Sequence, residues 1–531
     1  MVRTYISLFS CAGVGCYGFK MNNFECIASN KLMESRIAVQ RVNHKCRYES
    51  GYICGDATSS ETHQRIANEI QMWRDKHNLQ QVDVVFATPP CQGMSTANGK
   101  KNDHEQIRNS LIVEAIRMIK AIHPKVFVFE NVRAFMKSIC TDISGQDITI
   151  KDCIFNNLSK QYNIYWKVIN FKDYGVPSSR PRTIVIGTSR ELHHVMPLDL
   201  FPTRKNEISL RDSIGGFNRL AFGEKDKHDP FHFARPFPEY MLDWIKDLKE
   251  GETAFDNPDN TKPCTFGKDG NRVINKSAYT GKYRRLIWDR PCACIATRSD
   301  ILSSQDTIHP CDNRVLSIRE LMTLMTIPNT FQWTEHDAEV TVENSDEYLK
   351  KNEGNIRRCI GEAVPTHIGC TIANKIKRML DYEDFMNNVN VENPEGNFYI
   401  ASNDYKEFAM EPQTVFDDLM QKSTDFETVS VEVESMSSFV AYMPMFASCF
   451  SHVDSINVDL ILKTPEEVDR LHHLFTLIDL GDNVNVSIIN ESTGNYYNFK
   501  IKYDGCHESP KLVKKTSKRK DGDNQLQLSF F

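Results

Sequence analysis

The residue with the most distinctive chemistry is Cys91, in the stretch Pro-Pro-Cys-Gln-Gly at positions 89–93. It follows an apolar run, so a loop at the carboxyl end of a buried strand would present its thiol. Two prolines stiffen the chain before the cysteine, and a glycine loosens it afterwards. Open α/β sheets bind their ligands along this edge. Most cysteines are simply buried in a core, but a thiol presented in this way is a candidate nucleophile.

A carboxylate and two guanidinium groups lie at the ends of later apolar runs. Glu130 follows the run 126–129, where it could donate a proton to chemistry at Cys91. Arg180 and Arg182 stand two apart before another run, and side chains with this spacing on an extended segment point the same way. The two arginines could hold an anion and a carbonyl oxygen. Each group alone is equally well explained as a surface charge, but together they predict an active site on one sheet edge.

The first 190 residues have the pattern of a fold that would bring these groups together. Short apolar runs alternate with helical periodicity, and several runs are apolar throughout, as expected for parallel strands covered on both faces. This βαβ rhythm predicts an α/β fold with a doubly wound, mostly parallel sheet. Strands are expected at Thr4–Phe9, Glu25–Ser29, Val82–Ala87, Lys125–Glu130, Tyr165–Asn170 and Thr183–Thr188, and a helix at Leu111–Ile122.

The rest of the chain divides into an irregular middle and a separate carboxyl-terminal part. Residues 190–285 lose the βαβ rhythm and are rich in Pro, Gly, His and basic residues, and helical periodicity returns at 314–327 and 365–380. Beyond residue 390 an α+β unit is expected, with a helix opened by Thr-Pro-Glu-Glu at 464–467. Its strands are expected at Val429–Glu434, Asn457–Leu462, Asn483–Ile489 and Tyr496–Tyr503.

Composition excludes several classes of protein. The 531 residues are 40% hydrophobic and 25% charged, as in ordinary globular chains. No apolar run reaches the roughly 20 residues of a membrane helix, and the first apolar stretch is too short for a signal peptide. We therefore expect a cytoplasmic protein. The 16 cysteines include no CxxC pair, which indicates reduced thiols rather than zinc or a disulfide scaffold, so we predict no metal.

Charge is distributed unevenly along the chain. Residues 381–510 carry 24 acidic and 6 basic residues, a net charge of −18, whereas residues 1–380 carry a net charge of +8. A positive body suits a polyanion such as DNA, because neutralising phosphates supplies much of the affinity. An excess of this size is also within ordinary surface variation.

In their order and placement, the Pro-Pro-Cys-Gln, Glu-Asn-Val and Arg-x-Arg elements resemble the DNA (cytosine-5)-methyltransferase family of bacterial or phage type. The resemblance extends over residues 4–380. It implies a Rossmann-like domain that uses S-adenosyl-L-methionine, an inserted target-recognition region and an appended carboxyl-terminal domain. The further matching elements are Ser-Leu-Phe-Ser-Cys-Ala-Gly at 7–13, Gly-Asp at 55–56, Arg-Asn-Ser-Leu at 108–111, Arg-Pro at 290–291, Arg314–Glu320 and Gly-Glu-Ala-Val-Pro at 361–365.

The resemblance implies a role for each chemical group. Cys91 would add to C6 of a cytosine flipped out of duplex DNA, which makes C5 reactive towards the methyl donor. Glu130 would bind or protonate N3, and Arg182 would contact the base carbonyl. Arg180 would orient a phosphate or Glu130. The polar loop 93–108 would close over the nucleotide.

The resemblance also implies binding residues. Arginine suits the guanine edge and lysine suits phosphate, and His232 is a further possible reader of the target sequence. The bases that are read do not follow from the sequence. Cofactor-binding residues are expected to be Phe9, Ala12, Gly13, Glu34, Asp56, Ala57, Pro90, Leu111, Glu362 and Ala363. DNA contacts are expected from Gln92, Ser95, Arg235, Lys282, Arg284 and Arg285.

Four positions depart from the family pattern. Cys11 replaces the first glycine of the cofactor loop, Ser178 replaces a glutamine and would loosen its loop, and Glu362 stands where asparagine is more frequent. Lys31 stands where the family commonly has an acid that binds the ribose, and lysine cannot accept those hydrogen bonds. Glu34 lies one turn later on the same helical face, so we predict that Glu34 binds the ribose instead.

These considerations divide the chain into five parts. We expect a catalytic and cofactor-binding domain at 1–190, a target-recognition region at 191–289, and the rest of that region with the return to the catalytic domain at 290–385. An acidic α+β domain follows at 390–510, which would bind a protein, mimic DNA charge or cap the catalytic domain. A basic disordered tail is expected at 511–531.

The end of the tail suggests a partner. Gln-Leu-Gln-Leu-Ser-Phe at 525–530 is similar to the peptide by which bacterial replication and repair proteins dock on the sliding clamp. The basic stretch 511–520 would serve as its tether.

The main hypothesis is a DNA cytosine-5 methyltransferase acting on a specific duplex sequence, as in restriction-modification. Two alternatives stay open: the same chemistry on RNA, and a catalytically silent DNA-binding or regulatory protein.

Overall fold

The computed structural model describes residues 2–90, 111–266, 271–275 and 281–388, together with parts of the carboxyl-terminal region. Those parts are 398–402, 405–406, 428–433, 439, 455–462, 484–490, 495–502 and 511–517. The chain forms two compact units. The first comprises Met1–Arg190 and Pro202–Asn374, and the second comprises Glu191–Phe201 and Lys375–Phe531.

The first unit is built on a seven-stranded sheet. Its strands and those of a small ribbon are β1 (Arg3–Leu8), β2 (Phe24–Lys31), β3 (Tyr52–Cys54), β4 (Val84–Ala87), β5 (Val126–Val132), β6 (Ile139–Thr141), β7 (Asp147–Thr149), β8 (Tyr162–Asn170) and β9 (Pro181–Ser189). The order is β3-β2-β1-β4-β5-β9-β8, with β6 and β7 paired separately. Strands β1 to β5 run parallel, and β9 is antiparallel to both β5 and β8. The predicted mostly parallel, doubly wound α/β sheet is confirmed.

Helices cover both faces of this sheet. They are α1 (Tyr17–Met21), α2 (Glu34–Val42), α3 (Ser60–His77), α4 (Leu111–Ile122) and α5 (Ile150–Leu158). The apolar positions of α4 recur at helical spacing and bury Ile112, Ile116 and Ile119. Strands β1 and β4 are buried along their whole length. This two-sided burial explains why β4 is continuously apolar.

The segment after β9 is largely irregular, as predicted. It contains α6 (Leu210–Ile214), α7 (Leu242–Ile245), the antiparallel pair β10 (Cys264–Phe266) and β11 (Arg272–Ile274), α8 (Ile318–Leu324), α9 (Ser345–Glu362) and α10 (Thr366–Asn388). Helices α8 and α10 confirm the periodicity at 314–327 and 365–380, whereas α9 was not predicted. The predicted boundaries of the target-recognition region stay a prediction, since contacts group 202–374 with 1–190.

The irregular segment closes on itself at Leu210 and Arg290. The N–H of Leu210 donates to the carbonyl of Arg290 at 2.9 Å, and the N–H of Arg211 donates to the carbonyl of Trp288 at 3.0 Å. The residues between these positions therefore start and finish at adjoining backbones.

Shortly after this closure the chain pairs with the loop that precedes β9. The N–H of Cys292 donates to the carbonyl of Pro177 at 2.8 Å, and the N–H of Ser179 donates to the carbonyl of Cys292 at 2.7 Å. Ser178 is fully buried, and its hydroxyl donates to the carbonyl of Leu324 at 3.1 Å. The expectation that Ser178 would loosen this loop is therefore wrong, because a short buried hydroxyl anchors the backbone.

The second unit contains another seven-stranded sheet. Its strands are β12 (Phe398–Ser402), β13 (Tyr405–Lys406), β14 (Thr428–Val433), β15 (Ser455–Leu462), β16 (Val484–Asn490), β17 (Asn495–Lys502) and β18 (Lys511–Ser517), in the order β13-β12-β14-β15-β16-β17-β18. The four predicted strands correspond to β14 through β17, and the predicted helix at 464–467 lies outside the described residues.

The prediction of a disordered tail from Lys511 is wrong for its first seven residues. They form β18, which pairs antiparallel with β17 and ends the sheet. Lysine-rich edge strands are common because the charges discourage pairing with another chain, so a basic composition did not reveal this strand. Residues 518–531, including the clamp-like peptide, lie outside the described part.

Candidate functional site

The loop after β1 is held open in an unusual backbone conformation. Phe9, Cys11 and Gly13 have φ values of 57°, 45° and 81°. Glycine adopts such values freely, whereas a side chain at Cys11 makes them costly. The loop is therefore held in place by surrounding contacts rather than by its own preference. Phe9 and Ala12 are buried within it.

A hydrogen-bonded network behind this loop supplies those contacts. The Nε2 of Gln40 on α2 donates to the carbonyl of Cys11 at 2.6 Å and to the hydroxyl of Ser10 at 3.1 Å. Its Oε1 accepts from the hydroxyl of Ser29 at 2.6 Å, and the ammonium of Lys45 donates to the same hydroxyl at 2.8 Å. Sequence reasoning missed these residues. The sequence signal for Ser29 and Gln40 is a polar side chain at a position of β2 or α2 that faces the core.

The segment leading to Cys91 is tied to the same loop. The N–H of Thr88 donates to the carbonyl of Leu8 at 3.2 Å, and its hydroxyl donates to the carbonyl of Phe9 at 3.0 Å. The amide of Asn131 on β5 donates to the carbonyl of Pro89 at 3.0 Å. Pro90 and Leu111, the described residues on either side of 91–110, are half-buried. Cys91, Gln92 and Ser95 lie outside the described residues.

The predicted carboxylate and one arginine form an ion pair. Glu130 and Arg182 lie on β5 and β9, where Arg182 is directly opposite Val132. Glu130 is therefore the diagonal neighbour of Arg182 on the same sheet face. Its Oε1 is 3.1 Å from the Nε of Arg182, and both side chains are largely buried. A buried, paired carboxylate beside a presented loop is suited to proton exchange or hydrogen bonding with a ligand.

Arg180 has a different set of contacts. It is buried, and its guanidinium donates to the carbonyls of Ile295 at 3.2 Å and Gly361 at 3.0 Å. Burial, and then the charge of Arg182, lower the pKa of Arg180. Among the described contacts the partner of Glu130 is thus Arg182, whereas Arg180 joins the start of β9 to two later backbone segments. Its predicted role in orienting a phosphate or Glu130 stays a prediction.

Other predicted cofactor residues lie at the ends of neighbouring elements. Asp56 follows β3, is exposed, and accepts from the N–H and hydroxyl of Thr58, both at 2.9 Å. Ala57 is buried beside it. Glu34 begins α2, has a side chain that is 57% exposed, and forms an ion pair with Arg41. Its predicted contact with the ribose stays a prediction, but the expectation that it shares a helical face with Lys31 is wrong, because Lys31 ends β2 and the helix begins only at Glu34.

Glu362 is the last residue of α9 and is paired with an arginine that sequence reasoning missed. Nε and Nη2 of Arg36 donate to its two carboxylate oxygens, each at 3.0 Å. Ala363, the next residue, is buried. The signal for Arg36 was a charged residue four positions before Gln40 on the buried face of α2.

Two of the predicted DNA-reading residues are buried. Arg285 is only 3% exposed and donates to the carbonyls of Ile245, His309 and Asp312 and to the side chain of Asn313, at 2.6–2.9 Å. His232 lies between the hydroxyl of Ser317 and the carbonyl of Asn218. Their contacts with DNA stay predictions, although these side chains satisfy buried groups that a charge pattern does not reveal.

The other three described DNA-binding candidates are more accessible. Lys282 is exposed, and Arg284 is half-buried with its Nε 3.8 Å from a carboxylate oxygen of Asp306. Arg235 forms an ion pair with Glu353 on α9. Their contacts with DNA stay predictions.

The block Arg314–Glu320 forms a buried charged cluster. Arg314 donates two hydrogen bonds of 2.8 Å to the carboxylate of Glu320, which also caps α8. Burial alone would raise the pKa of Glu320, yet Arg314 lowers it to about 2. His309, Cys311 and Asp312 beside it could in principle ligate a metal. However, Arg219 and Arg314 already bind the Asp312 carboxylate, so the cluster is explained by internal contacts.

Comparison with known proteins decides the family. The model for C-5 cytosine-specific DNA methylases matches residues 3–378, well over half of the chain. The chain belongs to the C-5 cytosine-specific DNA methylases. This methylase is 30% identical to the type II methyltransferase M1.HgaI of Avibacterium volantium, over 68% of this chain and 94% of that protein. It is 28% identical to M1.HphI of Haemophilus parahaemolyticus, over 71% and 88%.

Solved structures resemble this methylase at lower identity. The Dnmt2 methyltransferase of S. pombe aligns with a TM-score of 0.45 at 12% identity, over 71% of this chain and 99% of that chain. The family establishes the activity: the enzyme methylates C5 of cytosine in DNA. No helix of the described residues has the length and apolar character to span a membrane.

Proposed function

We propose that this methylase modifies cytosine within a specific duplex sequence through a covalent adduct, with Cys91 as the nucleophile. The observation that carries the proposal is the ion pair of Glu130 and Arg182, which lies beside the segment that leads to Cys91. Asn131 and Thr88 connect that segment to β5 and to the loop after β1. Three functional elements therefore converge on one sheet edge.

The chain's own groups suit each step. The Cys91 thiolate adds to C6 of the flipped base and raises the electron density at C5. Glu130, in its protonated form, donates a hydrogen bond or that proton to N3 as charge develops there, and Arg182 stabilises the carboxylate that remains. Arg182 holds Glu130 and contacts the base carbonyl. After methyl transfer, solvent water takes the C5 proton, the C5–C6 double bond re-forms as the C6–S bond breaks, and N3 returns its proton to Glu130 while the Cys91 thiolate leaves.

The residues at this edge also fit S-adenosyl-L-methionine. Phe9 and Ala57 offer apolar surface, and Asp56 and Glu362 offer partly exposed carboxylates for hydroxyl and ammonium groups. Pro90, Leu111, Ala12, Gly13 and Ala363 complete the proposed lining. When bound, the cofactor supplies an electrophilic methyl carbon on a sulfonium.

The biological setting we infer is type II modification, since the relatives named above are type II methyltransferases. The target sequence would be read by the region 191–289, with Arg235, Lys282 and Arg284 as its proposed contacts. Docking of 525–530 on a sliding clamp is a separate proposal. Direct binding of the isolated peptide to the clamp, compared with a Leu528→Ala and Phe530→Ala version, tests it.

Methyl transfer to duplex DNA tests the main proposal. Full-length protein and radiolabelled S-adenosyl-L-methionine are incubated with genomic DNA, and 5-methylcytosine is mapped by bisulfite sequencing. We expect methylation at one sequence, and none with Cys91→Ser. A duplex carrying 5-fluorocytosine at that site should trap wild-type protein covalently. Full turnover by Cys91→Ser, or no trapping, would contradict the covalent mechanism. Methylation of RNA but not duplex DNA would contradict the proposed substrate.

A further inference from the structure

Arg36 is a charged residue buried in the helix that follows β2. It is 2% exposed, on the face of α2 that also buries Ile37 and Gln40. A buried guanidinium is stable only when its donors find partners. Two of its nitrogens donate to Glu362, and the third, Nη1, donates to the side chain of Asn355. Arg36 therefore connects α2 to the end of α9, more than 300 residues away in sequence.

The carboxylate at the other end of this connection is accessible. The side chain of Glu362 is 31% exposed, and each of its oxygens accepts one N–H from Arg36. A carboxylate has about four acceptor sites, so about two stay available to a ligand. Bidentate pairing with a guanidinium also fixes the plane of the carboxylate. The pair thus presents an anionic acceptor in one orientation.

This acceptor lies beside the loop after β1. The hydroxyl of Thr366, four residues after Glu362, donates to the carbonyl of Val14 in this loop at 3.1 Å. The carbonyl of Gly361 accepts from Arg180 at 3.0 Å, which ties the residue before Glu362 to the start of β9. Glu362 therefore stands between the proposed cofactor loop and the strand that carries Arg182.

We propose that Arg36 is a positioning residue for the cofactor. It holds the Glu362 carboxylate so that this group accepts hydrogen bonds from the donor groups of S-adenosyl-L-methionine, its ammonium or its ribose hydroxyls. The inference rests on the proposed use of this cofactor. It also connects two departures from the family pattern. The position at the end of β2 holds Lys31 instead of the usual acid, and position 362 holds a glutamate, stabilised by Arg36, instead of the more frequent asparagine.

Binding of S-adenosylhomocysteine to the full chain, measured by isothermal titration calorimetry without DNA, tests the proposal. Loss of a hydrogen bond to a charged group predicts that Glu362→Gln binds S-adenosylhomocysteine at least about tenfold more weakly than the wild type. Arg36→Met should weaken binding to a similar extent. If Arg36 acts through Glu362, Arg36→Met should change affinity less than about twofold in the Glu362→Gln background.

Arg3→Met is a matched control. Arg3 is a buried arginine paired with Asp83 at 3.3 Å, at the amino ends of β1 and β4, the opposite edge of the sheet. The Arg3→Met variant should be less stable than the wild type but bind S-adenosylhomocysteine with unchanged affinity. Two results would overturn the proposal. One is a folded Arg36→Met protein with unchanged affinity for S-adenosylhomocysteine, and the other is a double variant in which the losses of binding free energy from Arg36→Met and Glu362→Gln simply add. Failure of wild-type protein to bind S-adenosylhomocysteine would contradict the proposed function instead.

A second ligand distinguishes the two kinds of donor. Methylthioadenosine keeps the ribose hydroxyls of the cofactor but lacks its amino acid group. If Glu362 accepts from the ribose, Arg36→Met should weaken binding of both ligands. If it accepts from the ammonium, only S-adenosylhomocysteine should bind more weakly. Weakening of methylthioadenosine alone would contradict both contacts and overturn the proposal.

Discussion

The contacts of His309 predict how acid destabilises the first unit. Its Nδ1 accepts from the backbone N–H of Asp312 at 3.0 Å and of Cys311 at 3.4 Å, which requires the ring proton to be on Nε2, facing Glu320. A second proton would have to displace the bond from Asp312. Burial, reinforced by the charge of Arg314 and opposed by Glu320, lowers the pKa of His309 to about 4.

The sign and size of the effect follow from this shift. Above pH 6.5 His309 is neutral in both the folded and the unfolded chain, so it has no effect. Between pH 6.5 and 4 the unfolded chain binds a proton that the folded protein does not, which favours unfolding. A shift from 6.5 to about 4 corresponds to about 3 kcal/mol, at 1.36 kcal/mol per pH unit. Below about pH 4 the free energy of unfolding has fallen by this whole amount.

Urea unfolding at pH 7, 6 and 5 measures the effect. Tryptophan fluorescence is a suitable probe, because the Trp288 ring is 5.3 Å from the His309 ring. In His309→Asn the amide oxygen replaces Nδ1 as acceptor and cannot titrate. The free energy of unfolding of wild-type protein should fall between pH 6 and 5 by about 1 kcal/mol more than that of the variant. Parallel pH curves for the two proteins would refute the reasoning.

Three further predictions concern the site and its frame. Glu130→Gln should lower kcat by at least about 100-fold in the methyl-transfer assay, while gel-shift binding of DNA persists; near-normal kcat would remove Glu130 from the mechanism. Arg285→Met should cost about 3–5 kcal/mol in urea unfolding and leave the methylated sequence unchanged, because its partners are internal; a changed target with unchanged stability would restore it as a base reader. Gly361→Ala should cost about 1–3 kcal/mol, as a Cβ would lie 2.5 Å from Thr297 N and 2.6 Å from the Ala296 carbonyl; an unchanged melting temperature would contradict this packing.

The sequence predicted the strands best where burial is two-sided. Continuous apolar runs located β4 and β5 to within a few residues, because their composition itself reports the burial. Strand β3 has only three residues, too few to show a period, and was missed. Helix α9 was missed as well, since it is polar along much of its length, from Ser345 to Arg358.

The candidate site was predictable where a residue's role follows from its place on a strand. Glu130 and Arg182 were predicted from strand ends, and the register brings them together. Arg285 and His232 show the opposite case. From the sequence alone a charged side chain is expected to be exposed, because its partners are not known. The partners of Arg285 and His232 include backbone carbonyls distant in sequence. Arg36 was missed for the same reason, because its partner lies on α9.

The closure of the irregular segment at Leu210 and Arg290 bears on how the length of that segment can vary. The excursion between them starts and finishes at adjoining backbones, so a change in its length need not move these two end points. Closing a longer or shorter excursion between the same points changes the chain entropy only logarithmically, about 0.6 kcal/mol for each doubling. Segments of different length can therefore occupy this junction while the catalytic strands keep their places.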